Sequence, residues 1–380
     1  MWRLAWALAA CAVVAACGGK AKQSDDDGAS SKRSACFALP SGLLGPELGE
    51  RVGQKLHVEL PDSTPLDANA DGFVRAQQLV DGLEPVLRGA SSRLSRALLH
   101  DFIFNQLLNR AKLEGGRAPL PPGLSDSVAR AMDDELYRFL ERWTIDGQAT
   151  LAALLTDDEA FVSPELAAHY GITPTPPLWE PVHQPTADRA GVLTLGAFLT
   201  RFSSPMARGM QLVEGLGCVT IPPPPLGSTV WVDPARPSAK AVVDSQYGQE
   251  PICVTCHQYY VGYGVALDKY DELGRYRDAF AGQPIDTSYY LAIPSANPDA
   301  PEATTTRLEF DNPQELGQAL SHAPGVRACM VKKLNQVLGG RELSQSELDC
   351  VLAQLELENR QASLWSLLAV LSPEYLATAP

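Results

Sequence analysis

Cys253-Val254-Thr255-Cys256-His257 sets two thiols three positions apart with an imidazole beside the second. Each thiol can add to one vinyl group of a porphyrin, and the adjacent imidazole then reaches the iron as an axial ligand. The pattern points to covalently attached haem c held by Cys253 and Cys256, with His257 as the proximal ligand. Three other chemistries compete for the same residues. A thioredoxin-like dithiol opens a helix after a buried strand in a βαβ pattern, and no such strand is legible before Cys253. A zinc site needs further ligands; Cys218 offers one, but no second Cys-x-x-Cys or His pair is present. A structural Cys253–Cys256 disulfide leaves His257 without a role. The other face of the iron has no assigned ligand. Met132, Met206, Met210, Met330, His169 and His322 are candidates, and a buried Met is more often core than ligand.

The start of the chain supplies a compartment for this chemistry. Met1-Trp2-Arg3 carries one positive charge and Leu4 to Ala16 is almost unbroken apolar sequence, which reads as a signal peptide over residues 1–16. Val14-Ala15-Ala16-Cys17 resembles a bacterial lipobox, so Cys17 is expected to be lipidated and to anchor the protein to a membrane; cleavage as an ordinary secretory leader is the alternative. Residues 17–35 are polar, include Asp25-Asp26-Asp27, and read as a flexible tether. The expected location is exported, lipid-anchored, periplasmic or at the cell surface. Setting aside Cys11, Cys17 and the two motif cysteines leaves Cys36, Cys218, Cys329 and Cys350, an even number that suggests disulfides outside the cytoplasm. The formal net charge of −14 argues against nucleic acid as a partner.

The elements that must position the motif read as mainly α. Helical regions are expected over 36–115 and 116–220, a CxxCH segment over 221–300, and a C-terminal helical module over 301–380. Apolar residues at helical spacing mark Gly89–Leu108 and the segment from Ser125, where Val128, Met132, Leu136, Phe139, Leu140 and Trp143 form one stripe. Asp133-Asp134-Glu135 fall largely off that stripe and read as a solvated face. Gly191 to Leu216 is expected to hold two short helices, and Ile221 to Glu250 an irregular, proline-rich connector into the motif. Arg327–Leu338 reads as a helix stopped by Gly339-Gly340, with the capping-box signature Ser344-Gln345-Ser346-Glu347 opening the next. Cys329 and Cys350 lie at similar distances either side of that turn, so a Cys329–Cys350 disulfide is expected, which leaves Cys36–Cys218 by elimination. A third helix is expected over Ala362–Leu371.

Asp67-Ala68-Asn69-Ala70-Asp71-Gly72-Phe73-Val74 follows the first part of an EF-hand calcium loop. Its twelfth position is Gln78, where a bidentate glutamate belongs, so a polar turn opening a helix is the stronger reading. His169-Tyr170-Gly171 reads as a capping or packing element. No nucleophile elbow, phosphate loop or zincin helix appears, and no catalytic constellation is legible.

Taken in order, several stretches resemble the tandem domain-of-unknown-function modules of secreted, CxxCH-containing cytochrome-c-like proteins of planctomycetes and myxobacteria. They are Leu154–Asp158 through Phe161-Val162 to Leu166–Gly171; Gly191–Thr194, Ser204-Pro205 and Arg208-Gly209 ahead of Cys218; Cys253–His257 followed by Gly264, Ala266–Asp268, Tyr270-Asp271 and Gly274–Arg277; and Cys329–Leu338 with Gly340-Arg341 and Leu343. Val261-Gly262 stands where that family has Asp-Pro. The resemblance implies haem c and one-electron transfer with an unidentified redox partner. Tyr270, Arg275 and Arg277 are then candidates to line the haem segment or, equally, to cap the local turn. A haem-free surface lipoprotein acting as a binding or assembly module, with Cys253–Cys256 bridged, is the alternative.

Overall fold

The computed structural model describes residues 35–39, 46–56, 66–67, 69–89, 121–145, 150–173, 177–183, 188–221, 238–243, 261–294, 305–337, 341–357, 370–371 and 373. Cys17, Cys253, Cys256 and His257 lie outside them, as do residues 90–108 of the first expected helix and most of the third C-terminal one. The described chain is mainly α. No helix among these residues is long and apolar enough to cross a membrane.

Helix α1 (Pro46–Leu56) buries Leu48, Val52 and Leu56, spaced four apart on one face. The EF-hand-like stretch opens α2 (Gly72–Gly89). Asp71 Oδ1 accepts from the Phe73 and Val74 amides as an N-cap, and Gln78 Oε1 accepts from the Asp67 amide. The twelfth-position side chain thus closes the turn by hydrogen bonding. Among the described residues no cluster of His, Cys, Asp and Glu is arranged to hold a metal. A segment at Ala35–Leu39 lies across α2: the Leu39 amide donates to Gly72 O (3.0 Å) and Arg75 Nη2 to Leu39 O (3.2 Å).

The stripe from Val128 folds as α3 (Asp126–Ile145), with Met132, Leu136, Phe139, Leu140 and Trp143 all buried. Glu135 is buried with them, at 0% exposure. The reading of 133–135 as a solvated face holds for exposed Asp134 and fails for Glu135, while Asp133 pairs with Arg201 at 2.5 Å. Two short helices follow, α4 (Leu151–Thr156) capped by Thr150 and α5 (Pro164–Tyr170) capped by Ser163. Strands β1 (Glu159–Phe161) and β2 (Pro181–His183) pair antiparallel, Ala160 opposite Val182.

A 3₁₀ turn at Gly191–Thr194 leads into α6 (Gly196–Arg201) and α7 (Pro205–Gly217). Gly191 is needed twice over: its φ is 48°, and a Cβ there would sit 2.1 Å from Leu154 O. Inside the stretch 221–250, expected to be irregular, a short helix α8 (Ala239–Val242) forms with Ser238 as its cap, and after it come a helical stretch at residues 261–265 and the turn at 266–277. Two antiparallel pairs follow, β3 (Ala279–Phe280) with β4 (Gln283–Pro284), and β5 (Tyr289–Pro294) with β6 (Thr305–Phe310). The β5–β6 hairpin straddles residue 300, where the sequence suggested a division between regions. The C-terminal part contains α9 (Pro313–His322), α10 (Pro324–Val337) and α11 (Gln345–Leu357). The capping box forms as expected: the Ser344 amide donates to Glu347 Oε2 (2.8 Å) and the Glu347 amide to Ser344 Oγ (3.4 Å). One apolar core runs through these elements, from Ala35 to Leu371.

All four remaining cysteines are bridged, with partners other than those expected. Cys36 joins Cys350 and Cys218 joins Cys329, with Cα–Cα distances of 5.7 and 5.4 Å. The Cys329–Cys350 and Cys36–Cys218 pairings are therefore replaced. α10 and α11 do pack together, but α10 buries Val326, Ala328, Cys329, Met330, Val331 and Leu334, more than one face, so distance from the turn does not decide where a side chain points. Cys329 meets the end of α7, where Cys218 caps the helix at φ 53°. Cys350 meets the Ala35–Leu39 segment.

Candidate functional site

The residues flanking the CxxCH segment are held together on both sides. Val243, which ends α8, packs with Val261 and Val265 in a small cluster separate from the main core, and Met206, Ala239 and Tyr289 lie against it. Asp268 adds a polar tie: its Oδ2 accepts from the Ala239 amide at 2.6 Å, across the segment from exit to entry. The two points where the described chain enters and leaves the stretch 244–260 are thus fixed against each other by the fold.

A second group fixes the exit. Arg208 on α7 is fully buried and donates to five carbonyl oxygens: Leu199, Phe202, Leu267, Tyr270 and Asp271, at 2.7–3.1 Å. Burial pushes its pKa down to about 10, against the pull of Asp268. Burial likewise raises the carboxyl of Asp268, which the Ala239 amide and Arg277 partly offset. The crossing is close. A Cβ on Gly264 would lie 1.8 Å from Pro205 O, so the 261–265 helix rests its backbone on the first turn of α7.

Tyr270, Arg275 and Arg277 are committed to the turn itself. Tyr270 Oη donates to Asp188 O (2.6 Å), Arg275 Nε to Asp271 Oδ2 (2.9 Å), and the Arg277 guanidinium sits by Asp268 and 5.0 Å over the Phe280 ring. The capping reading of these three is the one the geometry favours. The candidate iron ligands scatter. Met132 and Met330 belong to the main core, His169 Nε2 bonds Leu273 O (2.9 Å), and His322 Nδ1 bonds Gln318 O (2.8 Å). Met206 is the candidate that lies against the Val243–Val261–Val265 cluster.

The sequence reading missed a further constellation between α3 and the 3₁₀ turn. Glu135 Oε2 accepts from Tyr170 Oη at 2.7 Å, and Tyr170 Oη accepts from the Gly196 amide at 3.1 Å. Glu135 Oε1 is buried with no hydrogen-bond partner. The Arg189 guanidinium lies 5.3 Å from the Tyr170 ring and 5.7 Å from the Tyr270 ring, and donates to Thr194 O at 2.9 Å. Burial raises the Glu135 carboxyl to about 7, against the Arg189 charge, the Tyr170 hydroxyl and the Gly196 backbone. It raises the Tyr170 hydroxyl far above the ordinary phenol range. The signal was present in the periodicity: position 135 lies three after Met132 and four before Phe139, on the buried stripe.

Residues 45–172 match the family described as PSD4, protein of unknown function (DUF1592), and residues 189–279 match PSCyt3, protein of unknown function (DUF1588). No curated protein and no solved structure matches the chain. The boundary between the two matched stretches falls between Tyr170 and Arg189, so the Glu135 constellation spans both, and the CxxCH motif lies within the second.

Proposed function

The chain belongs to the tandem domain-of-unknown-function family of cytochrome-c-like proteins, and on that premise we propose that it carries one covalently attached haem c in one-electron transfer outside the cytoplasm, lipid-anchored through Cys17. Cys253 and Cys256 are the thioether attachments and His257 the proximal ligand. When bound, the haem supplies a reversible one-electron couple.

The observation that carries this reading is the Cys253-Val254-Thr255-Cys256-His257 motif itself, and the pairing of the other thiols narrows its competitors. Cys36–Cys350 and Cys218–Cys329 consume four cysteines, so Cys218 cannot serve as a zinc ligand and Cys253 and Cys256 are left to each other or to a cofactor. The buried contact of Val243 with Val261 and Val265 supports the same reading only in that it fixes the described residues on either side of the motif. The haem-free alternative draws on the same oxidised state: a third bridge, Cys253–Cys256, would complete the set.

The test is direct. Expressed in a host that matures cytochromes c, the wild type should give a pyridine haemochrome of a two-thioether haem, and Cys256→Ala should lose the normal spectrum. Absence of covalent haem in the wild type, where a control cytochrome matures, would overturn the proposal and leave the bridged lipoprotein.

A further inference from the structure

The constellation around Glu135 uses none of the residues assigned above to the haem. We propose that the Glu135 carboxyl is a proton-operated latch between the two modules: neutral, it rests against Tyr170; ionised, it draws Arg189 toward itself and shifts the 268–277 turn through which the chain leaves the CxxCH segment. Such a latch works with or without haem.

The geometry forces a two-state choice. A fully buried carboxylate with one oxygen unpartnered is costly to ionise, so the neutral acid is the form this packing fits. The group able to compensate the charge is Arg189, already beside the Tyr170 ring. The groups facing Glu135 are Tyr170 from α5, the Gly196 amide from α6 and Arg189 ahead of the 3₁₀ turn, with the Tyr270 ring of the 268–277 turn on the far side of Arg189, 5.7 Å from its guanidinium. Other ionisable side chains on the elements packed around α3 are engaged elsewhere: Glu159 of β1 with Arg142, Arg201 of α6 with Asp133, Glu165 of α5 with Ser127, and His169 of α5 with Leu273 O.

Movement at Arg189 has a route outward. Its neighbour Asp188 accepts from Tyr270 Oη through the backbone carbonyl, and from Tyr276 Oη (2.9 Å) and Lys269 Nζ (3.2 Å) through the carboxylate. Three side chains of the turn therefore follow residues 188 and 189. The raised Glu135 pKa of about 7 puts the change near neutral pH. Because the folded value lies above the ordinary 4.5, the protonated form favours folding. That contribution is complete below about pH 4.5 and is lost as pH rises through about 7.

Infrared difference titration of the full chain reads the protonated carboxyl directly, and hydrogen exchange of residues 268–277 reads the turn. The wild type should show a carboxylic-acid band that disappears with a midpoint near 7. Exchange in the turn, corrected for its intrinsic pH dependence, should rise roughly tenfold across the same range. Glu135→Gln should lack the band and hold exchange at the low-pH level. Equal pH dependence in Glu135→Gln, or a wild-type band that titrates in the ordinary carboxylate range, would overturn the latch. If Glu135→Gln fails to fold, Tyr170→Phe removes a hydrogen bond that favours the ionised form, so its midpoint must move upward. An unmoved midpoint there rejects the proposal equally.

Discussion

Arg208 ties two chain segments about sixty residues apart in sequence, because one planar guanidinium reaches carbonyls at the end of α6 and in the 266–271 turn together. A lysine there keeps the charge but offers one ammonium in place of the fork, leaving several buried carbonyls unpaired. Arg208→Lys should therefore cost on the order of 3 kcal/mol of stability, read from urea unfolding; a loss under about 0.5 kcal/mol would show that the carbonyls find other donors. Neither Arg208 nor Glu135 announced itself in the sequence as a buried group. Arg208 has no apolar pattern to betray it, since its partners are backbone atoms distant along the chain. Glu135 could have been found by counting threes and fours from Met132. It was hidden by two neighbouring aspartates that made the triplet look like a solvated run.

At the level of elements, helices with a regular stripe and a local cap were legible. α3 and the α10–α11 pair follow from spacing and from Ser344 and Glu347, because those signals act within one or two turns. The β5–β6 hairpin was not seen. Its strands pair across ten intervening residues, so no two-residue turn signal joins them. The crossing of the 261–265 helix over α7 was equally invisible, although Gly264 marks it. Gly264→Ala would drive a methyl into the Pro205 carbonyl and force the two elements apart. It should lower stability by about 1–3 kcal/mol and depress the melting temperature in a thermal scan. An unchanged melting temperature would mean the crossing yields without cost.

For the whole molecule the bridges matter most. That Cys36, Cys218, Cys329 and Cys350 form disulfides was legible from their even number and the expected compartment. Their partners were not, because pairing depends on which helix faces meet. Cys36–Cys350 ties the segment ahead of α1 to α11, close to where Gln354 Nε2 donates to Gln77 Oε1 (2.9 Å). Non-reducing peptide mapping should recover Cys36 with Cys350 and Cys218 with Cys329; a Cys329–Cys350 peptide would contradict the fold described. The double variant Cys36→Ser/Cys350→Ser should lose about 2–5 kcal/mol in denaturant unfolding.

The same bridge imposes an order on biosynthesis. Cys36 is made first and its partner follows 314 residues later, which at about 5–20 residues per second is roughly 15–60 s of waiting. Cys218 emerges in the interval, ahead of its own partner Cys329, so of the four bridged cysteines the first two to coexist are a non-native pair. A nascent chain oxidised in that interval would close a wrong first bridge, and the native set would then be reached by thiol exchange after Cys350 has appeared.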